Sequence, residues 1–400
     1  MTRSEFKTLA IQRILRLDGA TGTELAKRGM PPGVCPEAWI LDNPDAIIDV
    51  QRCYAAAGSD IVYAPTFGGN PLKLAEFGLA DRTEEINREL ARLSRRAVPD
   101  KFVFADIAPT GQLIEPYGEL AFDEAVEIYK RQIRALLESG GIDGFAIETM
   151  MDLQEARAAL IAVRELSELP ALVTLTFEPG GRTLTGVHPV SALVTLQGLG
   201  ADAFGCNCST GPEAMAGIIR SVKPYAKIPL AAKPNAGMPH LVDGETRFDL
   251  GPEAFAASAA ALVGAGASLI GGCCGTTPEH IRKMTHRLAG RPVPVHGNQT
   301  QRALTSERAS LTFDLDGPFL IVGERINPTG KKKLQQELRE GSFELVTQFA
   351  QEQEERGASI LDVNMGMSGI DEKAMMLQAL EEVAGVTKLP LSIDSSHVDV

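Results

Sequence analysis

The sequence predicts an α/β fold, a (β/α)8 barrel of the TIM type followed by a truncated second (β/α) barrel. Two regularities carry that expectation. Short stretches rich in Val, Ile, Leu and Phe alternate with longer amphipathic ones, the pattern of parallel strands joined by helices. A Gly also precedes several of these stretches, as in Gly58-Ser59-Asp60-Ile61, Gly200-Ala201-Asp202-Ala203 and Gly266-Ala267-Ser268-Leu269. There it serves as a left-handed helix cap before the next strand.

Eight strands are expected before residue 280: Ile14 to Asp18, Ile61 to Thr66, Phe102 to Ile107, Gly144 to Glu148, Ala171 to Phe177, Ala203 to Cys208, Pro229 to Asn235 and Ser268 to Cys273. Their starts lie roughly 26 to 47 residues apart, room for a strand, a helix and two loops each. Eight such units with right-handed crossovers close into a barrel. An open doubly wound sheet is the competing architecture, and the Gly-x-Gly-x-x-Gly turn of its dinucleotide-binding form is missing after the first strand. The pattern lapses after Ala289, where Gly290-Arg291-Pro292-Val293-Pro294 and Gly297-Asn298-Gln299-Thr300 read as a connector. It resumes with strands at Phe319 to Asn327, Ile360 to Asn364 and Leu389 to Asp394, and with a further glycine cap at Gly357. The expected division is a barrel over 1–298, a linker over 299–316, and the N-terminal part of a second barrel over 317–400.

Composition limits the function. The 400 residues are 44% apolar and 23% charged, with net charge −13, which argues against nucleic-acid or anionic-membrane surfaces because both require a basic field. The longest apolar runs, such as Ala256 to Val263, fall far short of the roughly 20 residues of a membrane span. The first residues, Met1 to Lys7, show no apolar targeting segment, so a cytoplasmic protein is expected. Six cysteines are too few for a disulfide scaffold of this size.

Four of those cysteines cluster, in Gly205-Cys206-Asn207-Cys208-Ser209-Thr210 and in Gly271-Gly272-Cys273-Cys274-Gly275. Both segments end strands, and the C-terminal strand ends of a barrel meet at one mouth. A Cys pair inside a glycine turn, facing another Cys at a matching strand end, favours Zn²⁺ over the usual role of free Cys as a small buried apolar side chain. Three thiolates with one open position would make such a site catalytic rather than structural. Asn235, ending the seventh strand in Lys233-Pro234-Asn235, is a further candidate, offering an oxygen to the metal in the absence of substrate. Cys35 and Cys53 lie outside the cluster.

Asp18 and Glu148 end the first and fourth strands and suit an ammonium group. The backbone amides around Ala20 and Thr21, at the start of the following helix, suit a carboxylate. Together they describe an α-amino acid site. The Thr21 to Glu24 spacing also predicts a capping box. No histidine stands at a convincing strand end, and Trp39 and Phe67 are expected to pack rather than touch substrate. An aldolase-type site is disfavoured because no strand offers a convincing Schiff-base lysine.

The motifs Asp18-Gly19-Ala20-Thr21-Gly22-Thr23, Thr66-Phe67-Gly68-Gly69-Asn70, Gly205-Cys206-Asn207-Cys208 and Gly271-Gly272-Cys273-Cys274-Gly275 together resemble the zinc-dependent homocysteine S-methyltransferase family. The resemblance implies Cys208, Cys273 and Cys274 as zinc ligands, with Cys206 a neighbour, and homocysteine as substrate with its amino group on Asp18 and Glu148. Gly323-Glu324-Arg325-Ile326-Asn327-Pro328-Thr329-Gly330, Leu361-Asp362-Val363-Asn364 and Ser392-Ile393-Asp394-Ser395 resemble a pterin-binding methyltransferase barrel. That resemblance implies Glu324, Asn364 and Asp394 as pterin contacts. The order of the two is that of the cobalamin-dependent methionine synthases. It implies methylcobalamin as immediate methyl donor, bound by a cobalamin domain downstream of Val400, and methyltetrahydrofolate as ultimate donor. Little folate binding is expected of an incomplete second barrel. The alternatives are a homocysteine methyltransferase using betaine or S-methylmethionine, and a noncatalytic zinc-binding module.

Overall fold

The computed structural model describes all residues except 209–210, 243–244, 296–300 and 307–308. The chain divides into two compact units, 1–300 and 301–400. In the first, β1 (Leu15–Arg16), β2 (Ile61–Ala64), β3 (Phe102–Ile107), β4 (Gly144–Met150), β5 (Ala171–Leu175), β6 (Ala203–Asn207) and β7 (Leu230–Lys233) are followed by a small antiparallel hairpin. The hairpin pairs β8 (His240–Val242) with β9 (Glu245–Arg247), and β10 (Leu269–Ile270) completes the barrel. The parallel sheet runs β1-β10-β7-β6-β5-β4-β3-β2. All eight expected strands are present, and the glycines at 58, 200 and 266 before β2, β6 and β10 have positive φ.

A long helix follows each barrel strand, and five of them, Pro44–Ala57, Pro189–Gly198, Pro212–Val222, Pro252–Ala265 and Pro278–Leu288, open on proline. Proline suits that position because its fixed φ is helical and its missing N–H would have found no partner there. Outward strand residues such as Phe145, Val173 and Phe204 pack under these helices. Inward residues form a separate interior core of Leu15, Leu17, Ile61, Tyr63, Phe104, Ala146, Leu172, Ala203, Ala231 and Leu269. The helix Arg3–Gln12, capped by a reciprocal Thr2 and Glu5 pair, adds Phe6 and Ala10 to this core, with the Phe6 ring 5.9 Å from Phe104. The N-terminal end of the barrel is thereby filled, leaving the opposite mouth for chemistry.

The seam between β1 and β2 is closed largely by side chains. Asp60 N–H donates to Arg16 O at 2.7 Å, and the Asp60 carboxylate accepts from Arg16 N at 2.9 Å and from the Arg13 and Arg16 guanidinium groups at 2.7 to 2.9 Å. At the mouth end of the seam, Tyr63 N–H donates to Asp18 Oδ2 at 2.7 Å.

In the second unit, β11 (Arg302–Thr305) and β12 (Ser310–Phe313) form an antiparallel hairpin. This adds order to a stretch expected to be a linker: alternating partly covered residues, Ala303, Leu311 and Phe313 among them, give it a strand period. The expected boundary at 298/299 and the Gly297 to Thr300 segment lie outside the described residues, as do Ser209 and Thr210. The strands β13 (Val322–Ile326), β14 (Ile360–Asn364) and β15 (Leu391–Asp394) make a three-stranded parallel sheet. Ile326, Leu361 and Val363 from these strands pack against Leu334, Leu338, Val346, Ala350, Met376 and Val383 of the connecting helices. Among the described residues no helix is long and apolar enough to cross a membrane.

Burial alone would raise the Asp60 carboxyl, but the Arg16 hydrogen bonds and the Arg16 and Arg13 charges hold it below its ordinary range. Asp60→Ala is therefore expected to lower unfolding free energy by about 2 kcal/mol at pH 7, a value reduced for the partial exposure of both arginines. Because the folded carboxyl is depressed, this contribution is present above the ordinary Asp value near 3.9 and is lost as pH falls through the depressed one. Urea denaturation should show the gap between wild type and variant narrowing as pH falls below about 4; a constant gap would contradict the assignment.

Candidate metal and amino acid site

The sulfurs of Cys208, Cys273 and Cys274 converge at the barrel mouth. Cys273 Sγ lies 3.5 Å and Cys274 Sγ 3.9 Å from Cys208 Sγ, and all three fall within 4.8 Å of one another. A tetrahedral Zn²⁺ with bonds near 2.3 Å requires sulfur separations of about 3.8 Å, so the donor set fits a thiophilic divalent metal with one position left open. Among the described residues this is the only group of three or more Cys, His, Asp or Glu donors close enough to share an ion.

Local backbone explains which cysteines take part. On β6, Phe204 and Cys206 face the outer core, and strict alternation would send Cys208 the same way. Cys208 instead has φ 62°, one of two non-glycine residues with positive φ among the described residues, and this turns its thiol into the mouth. The other is Thr149, φ 62°, next to Glu148. Asn207 joins the two: its Oδ1 accepts from Thr149 N at 2.9 Å and its Nδ2 donates to Thr149 Oγ1 at 2.8 Å. Cys206 stays buried among apolar side chains, its thiol pushed up to about 12 by desolvation. On the facing turn, Gly275 has φ +77° and a Cβ there would strike the Phe248 ring at 2.3 Å, so only glycine permits the bend beside the cysteine pair.

Asn235 is held against that turn by its neighbours. Cys273 N donates to Pro234 O at 2.8 Å and Ala236 N to Cys274 O at 2.9 Å, while Asn235 Oδ1 is buried with no hydrogen-bond partner. An orphaned buried oxygen on a residue whose two neighbours bond the cysteine turn is compatible with the expected role as an oxygen donor to the metal.

A cavity of about 420 Å³ opens beside the sulfurs, lined by Ala20, Thr21, Thr23, Glu37, Tyr63, Phe67, Asp106, Glu148, Lys233 and the three cysteines, among others. Several sequence expectations need correction here. The Ala20 amide donates to Thr276 Oγ1 at 3.0 Å and is thus already engaged. Thr21 makes no side-chain cap, and Glu24 pairs with Lys27 and Arg28 instead of closing a capping box. Phe67 is 42% exposed and lines the cavity, whereas Trp39 does pack against the core.

The largest omission from the sequence reading is Lys233, on β7. Its Nζ lies 3.4 Å from Asp18 Oδ1 and 3.2 Å from Glu148 Oε2, and 3.6 Å from the centre of the Tyr63 ring. Burial works against its charge, but Glu148, Tyr63 and Asp18 outweigh it and hold the ammonium well above the ordinary lysine value. A strand lysine therefore does stand at the mouth, as the cation of a buried ion cluster. Asp106 on β3 was also missed.

In the second unit, Asn364 and Asp394 pair across β14 and β15, with Nδ2 donating to Oδ2 at 2.9 Å. Glu324 lies on β13, where the register with β14 shifts between Gly323 and Ile326.

Without a metal, the cysteine pair is strongly protonated. The hydrogen bond from Cys273 to Cys208, with burial, raises Cys273. At Cys274 the Cys208 bond lowers the value, but Cys273 and burial win and push it up to about 12. Metal binding must displace these protons, so affinity should rise steeply with pH and binding should release about three protons. Titration of metal-free protein with Co²⁺ should give one equivalent with thiolate charge-transfer absorption. Cys208→Ser should abolish it and Cys206→Ser retain it; the reverse pattern would contradict the assigned donor set.

The sequence model of the homocysteine S-methyltransferase family matches residues 15–288, and that of pterin binding enzymes matches residues 323–400. Methionine synthase of Mycobacterium tuberculosis (strain ATCC 25618 / H37Rv) is 30% identical over 410 residues, covering 97% of this chain and 34% of that protein. Methionine synthase of Mycobacterium leprae (strain TN) is 30% identical over 420 residues, covering 98% and 34%. The chain thus spans about a third of the length of these curated relatives. The metallated form of the homocysteine methyltransferase MmuM from Escherichia coli has the same barrel fold, with TM-score 0.61 and 24% identity over 70% of this chain and 98% of that one. With the family model matching well over half of its length, the chain belongs to the homocysteine S-methyltransferase family.

Proposed function

We propose that the chain is part of a methionine synthase. Its first unit binds homocysteine at a zinc ion held by Cys208, Cys273 and Cys274, and the methyl group passes from methylcobalamin to the substrate sulfur to give methionine. The observation that carries this reading is the convergence of three cysteine sulfurs beside a cavity lined by Glu148, Asp106 and Thr21. Zn²⁺ supplies one thing when bound, the deprotonation of a coordinated thiol that would otherwise be mostly neutral near pH 7.

The chain's own residues do the rest. Cys208, Cys273 and Cys274 bring their negative charge, which keeps a substrate sulfur electron-rich. Asn235 offers its orphaned oxygen when no substrate is present. Carboxylates at the mouth receive the ammonium, and the Thr21 segment faces the carboxylate end. The surrounding apolar side chains of Ile40 and Phe67 limit water at the reacting sulfur.

The second unit is proposed as the N-terminal part of a methyltetrahydrofolate barrel with Glu324, Asn364 and Asp394 as pterin contacts. The pterin binding enzyme match over 323–400 and the Asn364 to Asp394 pair support that role. A cobalamin-binding domain, downstream in the same polypeptide, is the proposed partner. The pterin match also favours this donor system over betaine or S-methylmethionine.

Zinc-loaded protein given homocysteine and free methylcobalamin is expected to form methionine, followed by the loss of methylcobalamin absorbance. Cys273→Ser should reduce the rate by roughly 10³-fold or more while circular dichroism stays unchanged. Full activity in that variant, or a preference for betaine or S-methylmethionine, would contradict the proposal.

A further inference from the structure

Four carboxylates stand at or beside the cavity, on Asp18, Glu37, Asp106 and Glu148, and they are not equivalent. Asp18 is 2% exposed and already served by the protein: Oδ2 accepts from Tyr63 N at 2.7 Å, and Oδ1 lies 3.4 Å from Lys233 Nζ. It is absent from the described residues that line the cavity, whereas Asp106, Glu148 and Lys233 are among them. Glu148 shares Lys233 through Oε2 at 3.2 Å. Asp106 is 7% exposed, and its Oδ1 is buried with no hydrogen-bond partner. On β3 it follows Phe104 of the interior core by two residues, which sets its side chain in the next layer toward the mouth.

The charges leave a deficit. Lys233 sits between Asp18 and Glu148, and Glu37 accepts from Gly68 N at 2.7 Å, so the carboxyl group left without a partner is that of Asp106. A buried carboxylate without a partner is costly, and a cation entering the cavity relieves that cost. Burial, with Glu148 next in effect, pushes the Asp106 carboxyl well above its ordinary range. Thr23 Oγ1, on the cavity wall, is likewise buried without a partner and is a hydroxyl donor suited to an anionic group.

We propose that Asp106, together with Glu148, receives the ammonium group of the amino acid substrate, and that Asp18 is the internal counter-ion of Lys233. This rests on the reading of the first unit as a thiol amino acid site. It moves the ammonium contact expected on Asp18 to a residue that the sequence reading did not single out. It also assigns specificity: Asp106 selects an amine-bearing thiol over the same chain without the amine.

The test compares homocysteine with 4-mercaptobutanoate, which lacks only the amino group, by calorimetry on the zinc-loaded protein. Wild type should bind homocysteine more tightly. Asp106→Asn should weaken homocysteine roughly 10- to 100-fold while 4-mercaptobutanoate stays within about 3-fold or tightens, because a charged hydrogen bond is lost for one ligand only. Unfolding by urea adds a second reading. Replacing a buried carboxyl that has no partner should leave ligand-free Asp106→Asn at least as stable as wild type, whereas a clear loss of stability would overturn the proposal by making Asp106 a structural group. Equal weakening of both ligands, or of neither, would also overturn it. Wild-type protein that binds neither thiol would overturn the acceptor reading, a result separate from intact discrimination that survives Asp106→Asn.

Discussion

The left-handed backbone at Cys208 decides whether this barrel has a metal site. A regular strand would leave that thiol facing the helices beside Cys206, and the pair at Cys273 and Cys274 would have no third sulfur. A non-glycine residue in this region costs about 1 to 3 kcal/mol, so the surroundings must enforce it. Asn207 contributes by spanning to Thr149, the second left-handed residue, across the intervening strand. One amide side chain thus ties the strand end that carries Cys208 to the strand end that carries Glu148.

The second organising feature is charge. Four carboxylates, on Asp18, Glu37, Asp106 and Glu148, and a group of three cysteines crowd a largely apolar barrel mouth, and Lys233 over the Tyr63 face offsets part of that density. The remaining negative charge suits the proposed chemistry. It keeps a coordinated sulfur nucleophilic and leaves a place for a cationic ammonium, so that one substrate can satisfy both the open metal position and the orphaned carboxylate. The seam residues Asp60, Arg13 and Arg16 stand apart from this, at the closure of β1 on β2, and hold the scaffold on which the mouth depends.

Much of this was legible in the sequence, for physical reasons. Parallel strands buried on both faces read as apolar runs, so all eight were visible. Cysteines flanked by glycine stand out because few other roles need that pattern. The same two-sided burial hid Asp106 and Lys233: β3 and β7 are buried almost throughout, so their sequences Phe-Val-Phe-Ala-Asp-Ile and Leu-Ala-Ala-Lys do not announce which positions face inward. The engagement of the Ala20 amide by Thr276, 256 residues away, is a product of closure and invisible locally. So is the Asn207 to Thr149 link. The hairpin at 302–313 was missed because its strands are short and half-exposed, close in composition to a linker.

The central claim is that three cysteine sulfurs hold a metal with a position open to a substrate thiol. X-ray absorption at the zinc edge, with metal content per chain, tests it most directly. The account predicts one zinc with three sulfur neighbours and a lighter fourth donor, changing to four sulfurs when homocysteine is added. No zinc, or four protein sulfurs that homocysteine does not alter, would contradict it.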